Sequence, residues 1–201
     1  THPYYGYSQT EYPSIMKGND FMSLPRERIY TIDDIYALPD GERAELIDGQ
    51  IYYMAPHSRR HQDIIGELFA TIRDYIHGNN GSYRAYISPF AVFLNENDRN
   101  YVEPDISVIC DQNKLNDKGC VGAPDWIIEI VSPSSRPMDY NKKLFKYRTA
   151  GVREYWIVDH EKDRITVYHF EADDMNEYSF TDNVPVGIYP GFSINLSKLN
   201  I

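Results

Sequence analysis

The 201-residue chain contains no long apolar run and no stretch that looks like an export signal. A helix that crosses a bilayer needs about 18 or more consecutive apolar residues, and the sequence has no run of that length. The N-terminal residues show no basic segment followed by an apolar one, so we expect no secretory signal. These absences predict a cytoplasmic protein without a membrane partner.

Cysteine is also scarce, since Cys110 and Cys120 are the only two in the sequence. Their spacing fits neither a zinc knuckle nor a disulfide framework. Cys110 ends an apolar run, which favours a small core side chain in a reducing compartment.

Basic residues are in the minority, with 20 Lys and Arg against 30 Asp and Glu and a formal net charge of −10. This balance argues against a general nucleic-acid coat protein, which is normally basic. It leaves room for an enzyme acting on nucleic acid, because metal-binding carboxylates raise the acidic count and a bound cation reverses the local sign of charge.

Apolar and aromatic residues are plentiful, at 42% and 14% of the chain. Such a composition supports a packed core, and the length fits one domain. We interpret residues 1–28, rich in Tyr, Ser, Pro and Gly, as an N-terminal arm. Residues 29–201 are then a single domain.

Local patterns in this domain predict alternating helices and strands. Thr31 is a good N-cap for a short helix, and Asp48-Gly49 is typical of a two-residue turn between strands. Apolar residues recur with the helical period between Ile64 and Ile76, and a second helix over 138–149 is closed by Gly151. The predicted strands are 44–47, 50–54, 83–87, 91–94, 102–110, 126–131, 154–159 and 164–170. This order predicts an α/β sheet with helices packed on it.

Two carboxylates stand where apolar residues are expected. Glu129 interrupts the apolar run 126–131, and Asp105 follows Pro104 in the strand 102–110. A buried carboxylate is costly unless it is paired or bound to a metal. A divalent cation between the two strands, Mg²⁺ or Mn²⁺, removes the penalty, and the carbonyl of Ile130 offers a further oxygen ligand. The alternative is that each acid forms a structural ion pair.

A lysine on the second predicted helix is placed to join these acids. The apolar stripe of that helix consists of Tyr140, Leu144 and Tyr147. Lys143 lies at the edge of the stripe, so its stem can follow the core and bring the ammonium to the edge of the sheet. Lys142 and Lys146 are predicted to lie further toward solvent. Taken alone, Lys143 is better explained as an ordinary snorkelling lysine at the surface, but its place just after Glu129 and residues 132–134 favours a role in the site.

Two further residues are candidates for the same site. Glu45 precedes the Asp48-Gly49 turn, where it is either a third carboxylate near the metal or a solvent-facing strand residue. His61 opens the long helix, where it either orients a phosphate or water or is a plain surface histidine.

Together these residues resemble the Uma2 family of the PD-(D/E)XK nuclease superfamily, over a region from about residue 30 to the C-terminus. The resemblance is carried by 45–49, His61, 103–108, 123–125, 129–135, Asp139, Lys143, Tyr147 and 151–159. It implies a restriction-endonuclease-like αβββαβ core with a mixed central sheet, an N-terminal helix and hairpin extension, and Asp105 and Glu129 as metal ligands. The superfamily lysine usually stands two residues after the acid, at Val131 here; the resemblance implies that Lys143 replaces it.

The resulting hypothesis is a Mg²⁺- or Mn²⁺-dependent endonuclease that hydrolyses phosphodiester bonds, with DNA as the expected substrate and a metal-activated water as the nucleophile. A homodimer is expected, because aromatic residues in the arm and tail offer an association surface. The alternatives are an inactive nuclease-fold module for binding or assembly, and an enzyme using the same carboxylates on a sugar.

Overall fold

The computed structural model describes residues 28–79, 81–95 and 97–201. The predicted arm, residues 1–28, lies outside the described residues except for Arg28. The described part begins with α1 (Ile32–Tyr36) and the hairpin of β1 (Ala44–Ile47) and β2 (Gln50–Tyr53). The backbone N–H of Thr31 donates to the Asp34 carboxylate at 2.8 Å at the start of α1. The observed helix and the strand pairing confirm the predicted helix and hairpin.

A six-stranded mixed sheet forms the centre of the fold, as predicted. Its strands are β3 (Arg84–Ile87), β5 (Ile106–Ile109), β8 (Trp126–Ile130), β9 (Glu154–Asp159), β10 (Arg164–His169) and β11 (Asp174–Tyr178). They lie in the order β11-β10-β9-β8-β5-β3. Strands β8 and β9 are parallel, and the other neighbours are antiparallel.

Helices cover both faces of this sheet. On one face α2 (Arg59–Gly78) buries Leu68 and Ile72 against Ile128 and Trp156. On the other face lie a π-helical turn (Met138–Lys143) and α3 (Leu144–Ala150), which ends at Gly151 in the left-handed conformation with φ 97°. Both faces of β8 are therefore buried, as its unbroken apolar sequence predicts.

The remaining strands form two small separate sheets. They are β4 (Val92–Phe93), β6 (Leu115–Asn116), β7 (Gly119–Val121), β12 (Val184–Pro185) and β13 (Ser193–Ile194). The first three form a small sheet, so part of the predicted loop 111–124 is in fact strand. Across residues 28–79, 81–95 and 97–201, no helix combines the length and apolarity needed to cross a membrane.

Strand β5 is shorter than predicted, because it begins at Ile106 and not at 102. Pro104 lacks the N–H that a ladder requires. The preceding residues pair elsewhere: Tyr101 bridges Leu46 of the hairpin, and Val102 bridges Val92. These bridges bring the hairpin to the end of β5, where Asp105 lies.

Candidate active site

The strand register places Asp105 beside Glu129. Ile106 pairs with Ile128 in this antiparallel pair of strands. Asp105, which precedes Ile106, is therefore opposite Glu129, which follows Ile128. The Ile130 N–H donates to Asp105 Oδ2 at 2.7 Å, and the Asp105 N–H donates to Glu129 Oε2 at 3.3 Å. Both side chains are buried. The two acids predicted from sequence thus meet at the end of adjacent central strands.

Lys143 lies among these acids and is itself only 6% exposed. Its Nζ is 2.9 Å from Glu129 Oε1, 2.8 Å from Glu45 Oε2 and 3.8 Å from Asp139 Oδ1. The alternative of an ordinary surface lysine is therefore wrong. The ammonium supplies one positive charge to a buried cluster that includes Asp105 as a fourth carboxylate.

Glu45 belongs to the same cluster because β1 faces inward at this position. One carboxylate oxygen contacts Lys143, and the other accepts the Glu103 N–H at 2.9 Å. The side chain is buried, which excludes a solvent-facing strand residue. Both oxygens have protein partners, so Glu45 is well placed to hold the lysine.

The π-helical turn and α3 bring three side chains of the buried cluster to one side at four-residue intervals, Asp139, Lys143 and Tyr147. The Tyr147 hydroxyl donates to Glu129 Oε1 at 2.7 Å. Such wide turns often occur at functional sites. The prediction that Lys146 points to solvent is wrong: it is buried and pairs with Asp48, because the β1–β2 turn covers this side of the helix.

The cluster perturbs the titration of its members. Burial raises the pKa of Glu129 to about 8, against the opposing effect of Lys143, and burial raises the pKa of Asp139 to about 6. Burial alone lowers the pKa of Lys143, but the surrounding carboxylates, led by Glu129, outweigh it and hold that pKa well above its usual value. Lys143 therefore remains an ammonium at neutral pH.

Two histidines approach Asp105 from the start of α2. Ser58 caps the helix by accepting the His61 N–H at 3.2 Å. His61 Nε2 lies 3.2 Å from Asp105 Oδ2, and His57 Nε2 lies 3.8 Å from Asp105 Oδ1. His61 is 2% exposed, so the surface-histidine alternative is wrong. His57 was not predicted from sequence. The pattern that could have indicated it is its position four residues before His61, on the other side of the Ser58 helix cap.

The four carboxylates, Lys143 and the two histidines line one cleft of about 950 Å³. Its lining includes every residue proposed from sequence, namely Glu45, His61, Asp105, Glu129, Ile130 and Lys143. The lining also contains apolar and aromatic residues of β2 and the residue after it, Ile51, Tyr52, Tyr53 and Met54. A cleft of this size suits a ligand with both charged and planar apolar parts.

The donor set fits a divalent cation. Three of four buried carboxylates contact the Lys143 ammonium and the fourth adjoins Glu129, so the acids of the cluster outnumber its one lysine. They are Glu45, Asp105, Glu129 and Asp139. Carboxylate oxygens and imidazole nitrogens are common ligands of divalent metals. His57 Nε2 is buried without a hydrogen-bond partner among the described residues, so a nitrogen donor is free beside Asp105.

Comparison with known proteins shows the fold and the family of the chain. The crystal structure of a "putative nuclease belonging to DUF820" from Anabaena variabilis has the same fold, with a TM-score of 0.69 at 21% identity, covering 83% of this chain and 95% of that one. This likeness confirms the predicted nuclease fold. The chain is also 29% identical over 133 residues to the uncharacterized protein slr1290 of Synechocystis sp., covering 66% of this chain and 68% of that protein. A model of the Uma2 family, described as "Putative restriction endonuclease", matches residues 32–197. As its sequence predicts, the chain belongs to the Uma2 family.

Proposed function

We propose that this protein is a divalent-metal-dependent endonuclease that hydrolyses phosphodiester bonds in DNA. The observation that carries the proposal is the buried cluster in which Asp105 and Glu129 lie side by side and Lys143 reaches Glu129 at 2.9 Å. Each residue comes from a different element of the fold, so the cluster is not a by-product of one strand or helix. The family description supports nucleic acid as the substrate class.

The cation would be held at the end of β5 and β8. Asp105 and Glu129 are the carboxylate ligands we propose, with the Ile130 carbonyl as a neutral oxygen ligand. A divalent ion bound there makes water more acidic and neutralises charge on a phosphate. Glu45, whose two oxygens are engaged by Lys143 and the Glu103 N–H, acts by fixing the lysine.

Lys143 acts through its permanent charge. Because its pKa lies well above the usual value, it does not remove a proton from water at neutral pH. Its ammonium instead donates hydrogen bonds to oxygen and stabilises the negative charge that develops on the phosphate in the transition state. Glu45 and Glu129 orient the ammonium from two sides, so little reorganisation is needed during the reaction.

The test is nicking of supercoiled plasmid DNA with Mg²⁺, Mn²⁺ or a chelator. We expect metal-dependent nicking that falls about 100-fold or more in Asp105→Asn and Lys143→Met, as is typical when a group that stabilises transition-state charge is removed. Asp74→Asn and Lys162→Met are matched controls, because both residues are exposed. Nicking by Asp105→Asn at the wild-type rate would contradict the proposal.

The assay must distinguish the nuclease from the alternative of an inactive module that only binds or assembles. The inactive module predicts that DNA is bound but left intact with every metal, and that calorimetric titration with Mn²⁺ gives the same weak heat for the wild type and Asp105→Asn. Hydrolysis of glycosides in place of DNA would favour the sugar enzyme. That outcome leaves Lys143 without a role, because glycoside hydrolysis relies on a pair of carboxylates.

We also propose a homodimer, since cleavage of both strands of a duplex is served by two sites. Light scattering across a concentration series tests this directly. A mass of 23.4 kDa at every concentration would show a monomer and end the proposal, without affecting the assignment of the active site.

A further inference from the structure

The end of the cleft next to Asp105 contains an imidazole pair that the nuclease chemistry described above does not use. His57 and His61 stack in parallel, with ring centres 3.8 Å apart and planes inclined by 5°. Ser58 stands between them in sequence and caps α2, so the last residue before the cap and the third residue of the helix face the same side. This local geometry presents both rings to one carboxylate.

We propose that His57 and His61 are nitrogen ligands of the cation held by Asp105, and that the site therefore binds Mn²⁺ in preference to Mg²⁺. The inference rests on the proposed metal-dependent function and names the ligand set and the metal class. It adds His57, which has no other assigned role, to the residues of the site.

The spacing of the donor atoms supports a shared ion. One ligand atom from each of His57, His61 and Asp105 can be chosen so that all three lie within 4.8 Å of one another. The shortest distances are 3.2 Å and 3.8 Å, from the two Nε2 atoms to the carboxylate. Ligands on a common ion with bonds of about 2.1 Å lie about 3 to 3.4 Å apart. The rings must therefore rotate out of their parallel stack for both nitrogens to point at one ion.

The hydrogen bonding of the two rings is incomplete without a ligand. His57 Nε2 and His61 Nδ1 are buried, and neither has a hydrogen-bond partner in the described part of the chain. Burying a polar nitrogen without a partner costs free energy, and a metal bond recovers that cost for His57 Nε2. His61 is more than nine-tenths buried, so bulk solvent has little access to its ring nitrogens.

The charge of the cluster also favours imidazole over another carboxylate. Three buried carboxylates contact Lys143, and a fourth, Asp105, adjoins Glu129. A neutral imidazole adds a ligand without adding to this repulsion. Mg²⁺ prefers oxygen ligands and gives up its waters reluctantly, whereas imidazole suits first-row transition ions.

The experiment uses the full chain and Mn²⁺ itself as the probe. Calorimetry gives the affinities for Mn²⁺ and Mg²⁺, and pulsed electron paramagnetic resonance of the Mn²⁺ complex detects nitrogen nuclei bonded to the ion. We expect tighter binding of Mn²⁺ than of Mg²⁺, together with a nitrogen signal from imidazole. His57→Ala should weaken Mn²⁺ binding by at least about tenfold, reduce the nitrogen signal and leave Mg²⁺ affinity nearly unchanged.

His77→Ala is the matched control, because His77 is an exposed histidine at the other end of α2. His57→Gln is a second variant that keeps the size of the half-buried side chain, and thermal unfolding of the metal-free proteins checks the fold. Mn²⁺ that binds without a nitrogen signal, or binds equally in wild type and His57→Ala, would overturn the inference. If the protein nicks DNA but the Mn²⁺ complex shows no nitrogen ligand, this inference is wrong and the proposed nuclease stands. If nitrogen ligands are detected but DNA is not nicked, the proposed nuclease is wrong and this inference stands.

Discussion

Replacing Lys143 by methionine removes the one ammonium from the buried acid cluster while keeping a side chain of similar length. Lys143 lies within 2.9 Å of two carboxylates and 3.8 Å of a third, and all are buried. Breaking a buried ion pair by removing one partner costs about 3–5 kcal/mol, whereas an exposed pair contributes about 0.2–1 kcal/mol. We therefore expect Lys143→Met to lose about 3–5 kcal/mol of unfolding free energy at neutral pH.

Urea unfolding of the metal-free protein measures this loss, with Lys162→Met as the exposed control, expected within about 0.5 kcal/mol of the wild type. In a domain of this size, the loss corresponds to a fall in Tm of about 6–20 °C, at 2–4 °C for each kcal/mol. Adding Glu45→Gln to Lys143→Met should recover part of the stability, because it removes a buried carboxylate that has lost its ammonium partner. A loss below about 1 kcal/mol for Lys143→Met would refute the claim that the lysine compensates buried acids.

Three further predictions concern residues around the site. Gly119 has φ 145°, and a Cβ there would overlap the Ala91 carbonyl. Gly119→Ala should therefore lower the free energy of unfolding in urea by about 1–3 kcal/mol. An unfolding free energy equal to that of the wild type would contradict this. Burial alone raises the pKa of Asp159, but hydrogen bonds from Arg136 outweigh it and hold that pKa below the usual 3.8. The pair therefore stabilises the fold above about pH 4 and loses its effect as the pH falls through the lowered pKa. Arg136→Gln should thus shift the acid-unfolding midpoint, followed by circular dichroism, to higher pH, and an unchanged midpoint would refute it. Burial raises the pKa of Cys120 to about 11, which lowers the fraction of reactive thiolate. Iodoacetamide at pH 8 should therefore modify Cys120 about 100-fold more slowly in the native than in the urea-unfolded protein. Equal rates would argue against burial of this side chain.

The elements that sequence predicts well are those with strong local patterns. Helix α2 was predicted from its apolar period and β8 from its unbroken apolar run, and the acid in that run marked the site. Because Asp105 and Glu129 broke the pattern of their own strands, they were recognisable without knowledge of the register. The polar β11 at the edge of the sheet was not predicted, since its residues carry no apolar alternation.

The parts that sequence does not predict depend on contacts between distant segments. The burial of Lys146 comes from the β1–β2 turn, which a helix considered alone does not reveal. The inward direction of Glu45 depends on the bridges that tie the hairpin to the residues before β5. His57 lies before the helix cap, where no periodic pattern exists, so only the fold shows that it stacks on His61.

The most direct test of the metal site is a crystal of this protein soaked in Mn²⁺ and measured for anomalous scattering. The account predicts a strong peak at the end of β5 and β8, within bonding distance of the Asp105 and Glu129 carboxylates, in the wild type but not in Asp105→Asn. A map with no peak in this cleft, or with Mn²⁺ only on exposed carboxylates elsewhere, would contradict the central claim.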